Sequence, residues 1–237
     1  MEVYAILNLA GLSIRLVEMR NTHIADGILT PEWCIFWYAV AAVFVFVGAR
    51  QIKGKRTIDP AYMSTVGLMG AAVFVISVWH IPVPVTGSCS HPVGTPMAAI
   101  IIGPFPTVVV SAIALFFQTF VGHGGITTIG ANTFSMGIVG TFAGYFTFWA
   151  LKKAGIKLWL SAGTGGLIGD LMTYVTAAFE LAISIHPSQW VVWMGIFTLG
   201  YLPTQVPLAI LEFGFTAAAI RYVAEHRPEM LKLWMIK

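Results

Sequence analysis

The sequence predicts an all-α polytopic membrane protein of about seven transmembrane helices, one of them short or re-entrant. Of its 237 residues 57% are hydrophobic and 10% are charged, against roughly 25% charged in an ordinary soluble domain. The mean hydropathy is +0.82. Lys and Arg gather in a few places between apolar runs, so the net charge of +3 bears on orientation in a bilayer and not on nucleic acid. Cys34 and Cys89 show no CxxC spacing, which gives no support to a disulfide framework or a thiolate zinc site.

The first apolar stretch, Val3 to Ile14, is shorter than the roughly 20 residues a spanning helix needs. It lacks a basic segment before it and a small-x-small cleavage site after it. A weak signal sequence, a half-buried helix and a mis-set start all remain open there, and residues 1–21 are set apart as an N-terminal extension. Residues 22–237 form one transmembrane domain without a soluble insertion.

Trp33 to Ala49 is the first long span, ending at Arg50, Lys53, Lys55 and Arg56, a basic cluster expected to stay cytoplasmic. Ala61 to Trp79 returns outward. From His80 to Pro92 the chain carries Pro82, Pro84, Gly87 and Pro92, which rules out regular helix. Lys152 and Lys153 close the run Ala131 to Leu151 on the inner side. An even number of crossings must then separate Ser90 from His123, with Gly103-Pro104-Phe105-Pro106 as the inner turn and Pro96 to Gly103 as the short leg. Lys157 to Ile185 and Val191 to Tyr222 complete the set, the latter expected to break at Pro203 and Pro207, and the basic tail from Arg221 lies inside.

This parity brings three histidine-bearing loops to one outer face: Thr22-His23-Ile24-Ala25-Asp26-Gly27, Ser88-Cys89-Ser90-His91-Pro92 and Gly122-His123-Gly124-Gly125. Irregular backbone at membrane depth survives where protein or water satisfies it, and imidazole is the commonest ligand for late first-row divalent ions. The site is read as one for a divalent metal, with the hydrogen-bonded loop histidine as the plain alternative for each. His80, His186 and His226 are set aside as interface or tail residues. Asp170, Glu180 and Glu212 fall inside spans, where an ionisable group costs at least about 2.5 kcal/mol. They serve either an ion path or the tying together of helices through neighbours such as Gln205 and Tyr174. Stretches such as Gly163-Thr164-Gly165-Gly166 are close-packing faces. No GxxxxGK[ST] loop is present, so ATP hydrolysis by that device is excluded from this chain.

At these residues the sequence resembles the CbiM/NikM substrate-binding components of cobalt and nickel energy-coupling-factor transporters. The resemblance is carried by His23-Ile24-Ala25-Asp26-Gly27-Ile28-Leu29, by Val85-Thr86-Gly87-Ser88-Cys89-Ser90-His91-Pro92-Val93-Gly94-Thr95, and by the stretch from His123-Gly124-Gly125 through Asn132-Thr133-Phe134-Ser135-Met136. It implies a subunit that captures Ni2+ or Co2+ from outside as cargo, with no prosthetic group. Its partners would be a CbiQ/NikQ-like transmembrane coupling subunit, CbiO/NikO-like ATPases and a small CbiN/NikN-like subunit. It further implies that the backbone nitrogens of Thr22 and His23 and the side chains of His23 and His91 hold the metal, with His123, Asn132 and Ser90 orienting them. An amine, an ionised amide and an imidazole from one X-His unit form fused chelate rings that suit a square plane. The departure lies at the start: the amine beside His23 requires a cut between Asn21 and Thr22. Otherwise another ligand replaces it, or the extension shuts the site. Asp26 leans the resemblance toward nickel over cobalt.

Two other readings stand beside this one. A proton-coupled secondary transporter would use Asp170, Glu180 and Glu212. A membrane metalloenzyme on His91 and His123 ranks last, because neither has a carboxylate at HExxH spacing.

Overall fold

The computed structural model describes residues 6–9, 12–15 and 24–235. Among these the architecture is helical, with two short antiparallel ribbons. The first ribbon pairs β1 (Ile6–Leu9) with β2 (Leu12–Arg15), so these residues are extended and not a half-buried helix.

Helix α1 (Pro31–Ile58) begins with Pro31 in the first turn and Glu32 beside it, and ends on Lys55 and Arg56. Each of these signs agrees with the helix dipole. At 28 residues it is about 42 Å long, so the basic turns emerge beyond a hydrocarbon core of about 30 Å. After Asp59-Pro60 comes α2 (Ala61–Ser77). The segment read as non-helical is the second ribbon, β3 (Ile81–Val83) against β4 (Ser88–Ser90).

The short leg is α3 (Thr95–Ile102), every residue of which is buried. It lies at the centre of the molecule, packed against α2, α4, α6, α7, α8 and α9. Its C-terminal carbonyl, at Ile102, accepts from the Tyr62 hydroxyl at 2.7 Å and from Lys55 Nζ at 3.4 Å, a cation where the helix dipole is negative. Gly103, at φ +97°, turns the chain directly into α4 (Pro104–Phe120), a backbone angle open to glycine. On α4 the buried Gln118 donates to Ser77 on α2 at 2.7 Å.

The next span runs as α5 (Ile129–Asn132), a π-helical segment over Thr133–Gly140, and α6 (Thr141–Lys153). The wide π turn is supported where the Met136 carbonyl accepts from the hydroxyls of Thr95 (3.1 Å) and Thr141 (3.2 Å). Helix α7 (Leu158–Ile185) packs along α8 (Trp190–His226) after a 3₁₀ turn at Pro187–Gln189. Contrary to the expected break at Pro203 and Pro207, α8 is continuous through both prolines. Spanning helices tolerate proline where neighbours hold the freed backbone groups, and Thr204 Oγ1 donates to the Tyr201 carbonyl at 3.0 Å within this stretch. Helix α9 (Pro228–Met235) closes the described chain.

Among the described residues four helices are long and apolar enough to cross a membrane: Pro31–Thr57, Ile129–Lys153, Leu158–Ile185 and Pro187–His226. Two shorter apolar helices, α2 and α4, lie beside them. The glycines foreseen as close-packing faces do join helices. A Cβ on Gly144 would lie 2.7 Å from the Gly165 carbonyl, and one on Gly166 would lie 2.7 Å from Thr216 Oγ1.

Candidate metal centre

The ribbon explains how distant residues meet. Ile81 pairs with Ser90 across β3 and β4, so the residues just outside that pair, His80 and His91, emerge at the same end. His123 comes from the turn after α4, where its backbone N–H donates to the Gln118 carbonyl at 3.0 Å. Gly122 and Gly124 flank it at φ +74° and +103°, a reversal that side-chain-bearing residues resist. The result is a row of rings. His80 and His123 have centroids 4.6 Å apart, and His123 and His91 are 5.4 Å apart.

His91 and His123 are each 1% exposed, whereas His80 is exposed. Burial pushes both inner imidazoles below their usual range, His91 to about 4, which keeps them neutral as metal ligands must be. His91 Nδ1 donates to the Pro92 carbonyl at 2.8 Å, so the lone pair is on Nε2. The Tyr174 hydroxyl fixes the His91 backbone, accepting from its N–H at 2.7 Å and donating to its carbonyl at 3.1 Å.

The Cys89 thiol joins this group: side-chain donor atoms of Cys89, His91 and His123 all lie within 4.8 Å of one another. Donors bound to one ion at 2.0–2.3 Å lie at most about 4.6 Å apart, so small movements would let the three share a cation. Burial pushes the Cys89 thiol up, which keeps it protonated without a metal. Cys89 and His91 also line a cavity of ≈ 20 Å³ together with Ile24, Asn132, Met136 and Tyr174.

The N-terminal stretch is clamped against this cavity. The Ile24 carbonyl accepts from the Thr128 hydroxyl and from Asn132 Nδ2 at 3.3 Å. The Asp26 carboxylate accepts from the backbone N–H of Thr127 at 2.7 Å and of Ile126 at 3.1 Å, and Thr30 N–H donates to Ser184 Oγ at 3.1 Å. Thr22 and His23 lie outside the described residues.

The other expected residues fall as follows. Asn132 holds the N-terminal segment through the Ile24 carbonyl. Ser90 ties its loop to α8 through Thr204 Oγ1 at 2.8 Å. Glu212 accepts from the N–H groups of Val93 (3.2 Å) and Gly94 (3.1 Å) at the start of α3. Asp170 accepts from Gln205, while Glu180 is buried in α7 near Ser135. Glu212 and Asp170 are thus each hydrogen-bonded to another element of the protein. His186 stacks on Trp193 at 3.7 Å and His226 on Tyr222 at 4.3 Å, in keeping with their being set aside. His80 is the exception, since it stands in the row of rings. Tyr174 and Thr128 were legible only as generic polar residues, and Cys89 lacked the spacing that would have marked it.

Comparison with known proteins decides the family. The model of the CbiM family, described as cobalt uptake substrate-specific transmembrane region, matches residues 23–230. This chain belongs to the CbiM family. A cobalt transport protein CbiM from Sorangium cellulosum is 43% identical over 212 residues, covering 88% of this chain and 94% of the relative. Another, from Carboxydothermus hydrogenoformans, is 40% identical over 220 residues, covering 91% and 87%. A solved structure described as a truncated transition metal transporter superimposes with a TM-score of 0.78 at 24% identity, covering 86% of this chain and 99% of that one. That likeness establishes the fold.

Proposed function

We propose that this chain is the substrate-binding subunit of an ATP-driven energy-coupling-factor importer and captures Ni2+ or Co2+ at the outer face of the membrane. The observation that carries the reading is the convergence at one cavity: Ile24 lines it beside His91 and Cys89, and the Ile24 carbonyl is held there from two sides. His23 directly precedes Ile24 in the chain. The proposed donors are the Thr22 and His23 nitrogens, the His23 imidazole and His91 Nε2. Names of relatives support cobalt as cargo, and Asp26 in the first motif supports nickel.

With the His23 segment outside, the C terminus is cytoplasmic. Asp59, Ala61, Arg227, Glu229 and Met230 line one crevice, which sets the start of α9 beside the turn that follows the basic cluster of α1, in keeping with the distribution of positive charge. The chain carries no ATPase loop. Hydrolysis belongs to CbiO/NikO-like subunits, coupled through a CbiQ/NikQ-like membrane subunit and assisted by a CbiN/NikN-like one. The secondary-transporter reading loses ground because Glu212 and Asp170 are engaged within the protein.

Titration calorimetry of the purified chain begun at Thr22, and of the full 237 residues, tests the reading. Tight binding of Ni2+ or Co2+ by the first, lost in His91→Ala, is the expected result. No heat with either ion in either form overturns it.

A further inference from the structure

We propose that His80 and His123 form a loading relay that hands a divalent cation inward to His91, each imidazole replacing water on the ion as it advances. The proposal deepens the function above and rests on it. Its starting point is a mismatch of size. The inner cavity has room for about one water-sized body, whereas an octahedral hydrated ion brings about six waters. The ion must therefore shed its shell on the way in, and a naked charge in a low-dielectric passage is prohibitive unless donors replace the lost waters.

The geometry supplies those donors in sequence. His80 is exposed beside Trp79, itself 80% exposed, so the outer ring meets the aqueous ion. Its Nδ1 donates to the Val78 carbonyl at 3.0 Å, which puts the lone pair on Nε2. The next ring, His123, is 4.6 Å away and buried, and His91 is 5.4 Å beyond it. At such spacing an incoming imidazole can bond to the ion before the outgoing one has left. At each step one metal–nitrogen bond forms as one metal–water or metal–nitrogen bond breaks, with no change in oxidation state. The relay is a kinetic device: His80 stands outside the cavity, so it sets the rate of filling and not the depth of the final well.

His80→Phe tests this, because it keeps a flat ring against His123 and removes the donor. Loading of the purified chain, in the form that binds in calorimetry, is followed by stopped flow as Ni2+ leaves a weak chromophoric chelator, and the equilibrium constant is obtained separately by competition. The expected result is loading slowed about tenfold with Kd changed less than about twofold, and His80→Cys, which restores a donor, recovering the rate. Loading at the wild-type rate in His80→Phe overturns the proposal. So does faster loading, which makes His80 a plug, and so does weakened equilibrium affinity at an unchanged rate, which makes it a ligand of the final site. Failure of the functional reading looks different: neither the full chain nor the chain begun at Thr22 then binds Ni2+ or Co2+, and the relay falls with it.

Discussion

At His91 three separate devices act on one residue. The Pro92 carbonyl selects the tautomer, burial keeps the ring neutral, and Tyr174 pins the backbone on both sides. Removing the hydroxyl in Tyr174→Phe leaves a buried N–H and a buried carbonyl without that partner, at about 1–3 kcal/mol. Thermal unfolding in detergent should show that loss, and calorimetry should show Ni2+ affinity weakened about tenfold. A variant binding like the wild type would mean that the His91 loop is set by other contacts.

The buried imidazoles also fix a pH dependence. Both have folded values below the ordinary histidine value, so as pH falls from about 7 to about 5 the unfolded chain takes up protons that the folded one refuses, and stability drops with it. The metal-free protein should therefore melt at a lower temperature at the acid end of that window, and His91→Ala should flatten part of the slope. Melting temperatures measured across the range check the sign.

At the scale of elements, small residues let backbones touch. A Cβ on Gly169 would lie 2.5 Å from the Pro96 ring and 2.6 Å from the Gly140 carbonyl, whereas one on Gly214 would meet nothing within 4 Å. Gly169→Val should push α7 away from α3 and the π segment, costing about 1–3 kcal/mol or more, while Gly214→Ala should be neutral or slightly stabilising. Thermal denaturation of the pair separates packing from general intolerance of substitution. Much at this scale was legible beforehand: the small-residue faces, the short leg ahead of Gly103, and the exclusion of helix between His80 and Pro92 all follow from local chemistry. The π segment and the continuity of α8 did not, because each depends on what neighbouring groups offer the backbone. Thr95 is forty-one residues from the Met136 carbonyl it reaches, and proline in isolation signals a stop.

For the whole molecule, the bundle gathers the loops of residues 24–30, 80–92 and 122–128 at one end, through the Asp26, Thr128 and Asn132 contacts and the row of rings. The other end carries the basic turns of α1 with α9. Cysteines placed at the exposed Thr57 and Val85 should respond oppositely to a membrane-impermeant thiol reagent on intact cells, Val85→Cys labelling and Thr57→Cys staying protected until the membrane is opened. The native Cys34 and Cys89 are buried and give little background. The reverse pattern would invert the proposed orientation.

By itself the sequence determined that this chain lives in lipid, where its main breaks fall, and that histidines belong to those breaks. Transfer from water to hydrocarbon acts on each residue independently, so composition and the order of runs suffice to read it. Only the tertiary structure decided which polar groups meet: that Glu212 and Asp170 tie elements together, that Tyr174 holds His91, and that His80 stands in line with His123. Such meetings are set by register and helix packing across dozens of intervening residues, and a one-dimensional pattern of hydrophobicity records that a group is buried without recording beside whom.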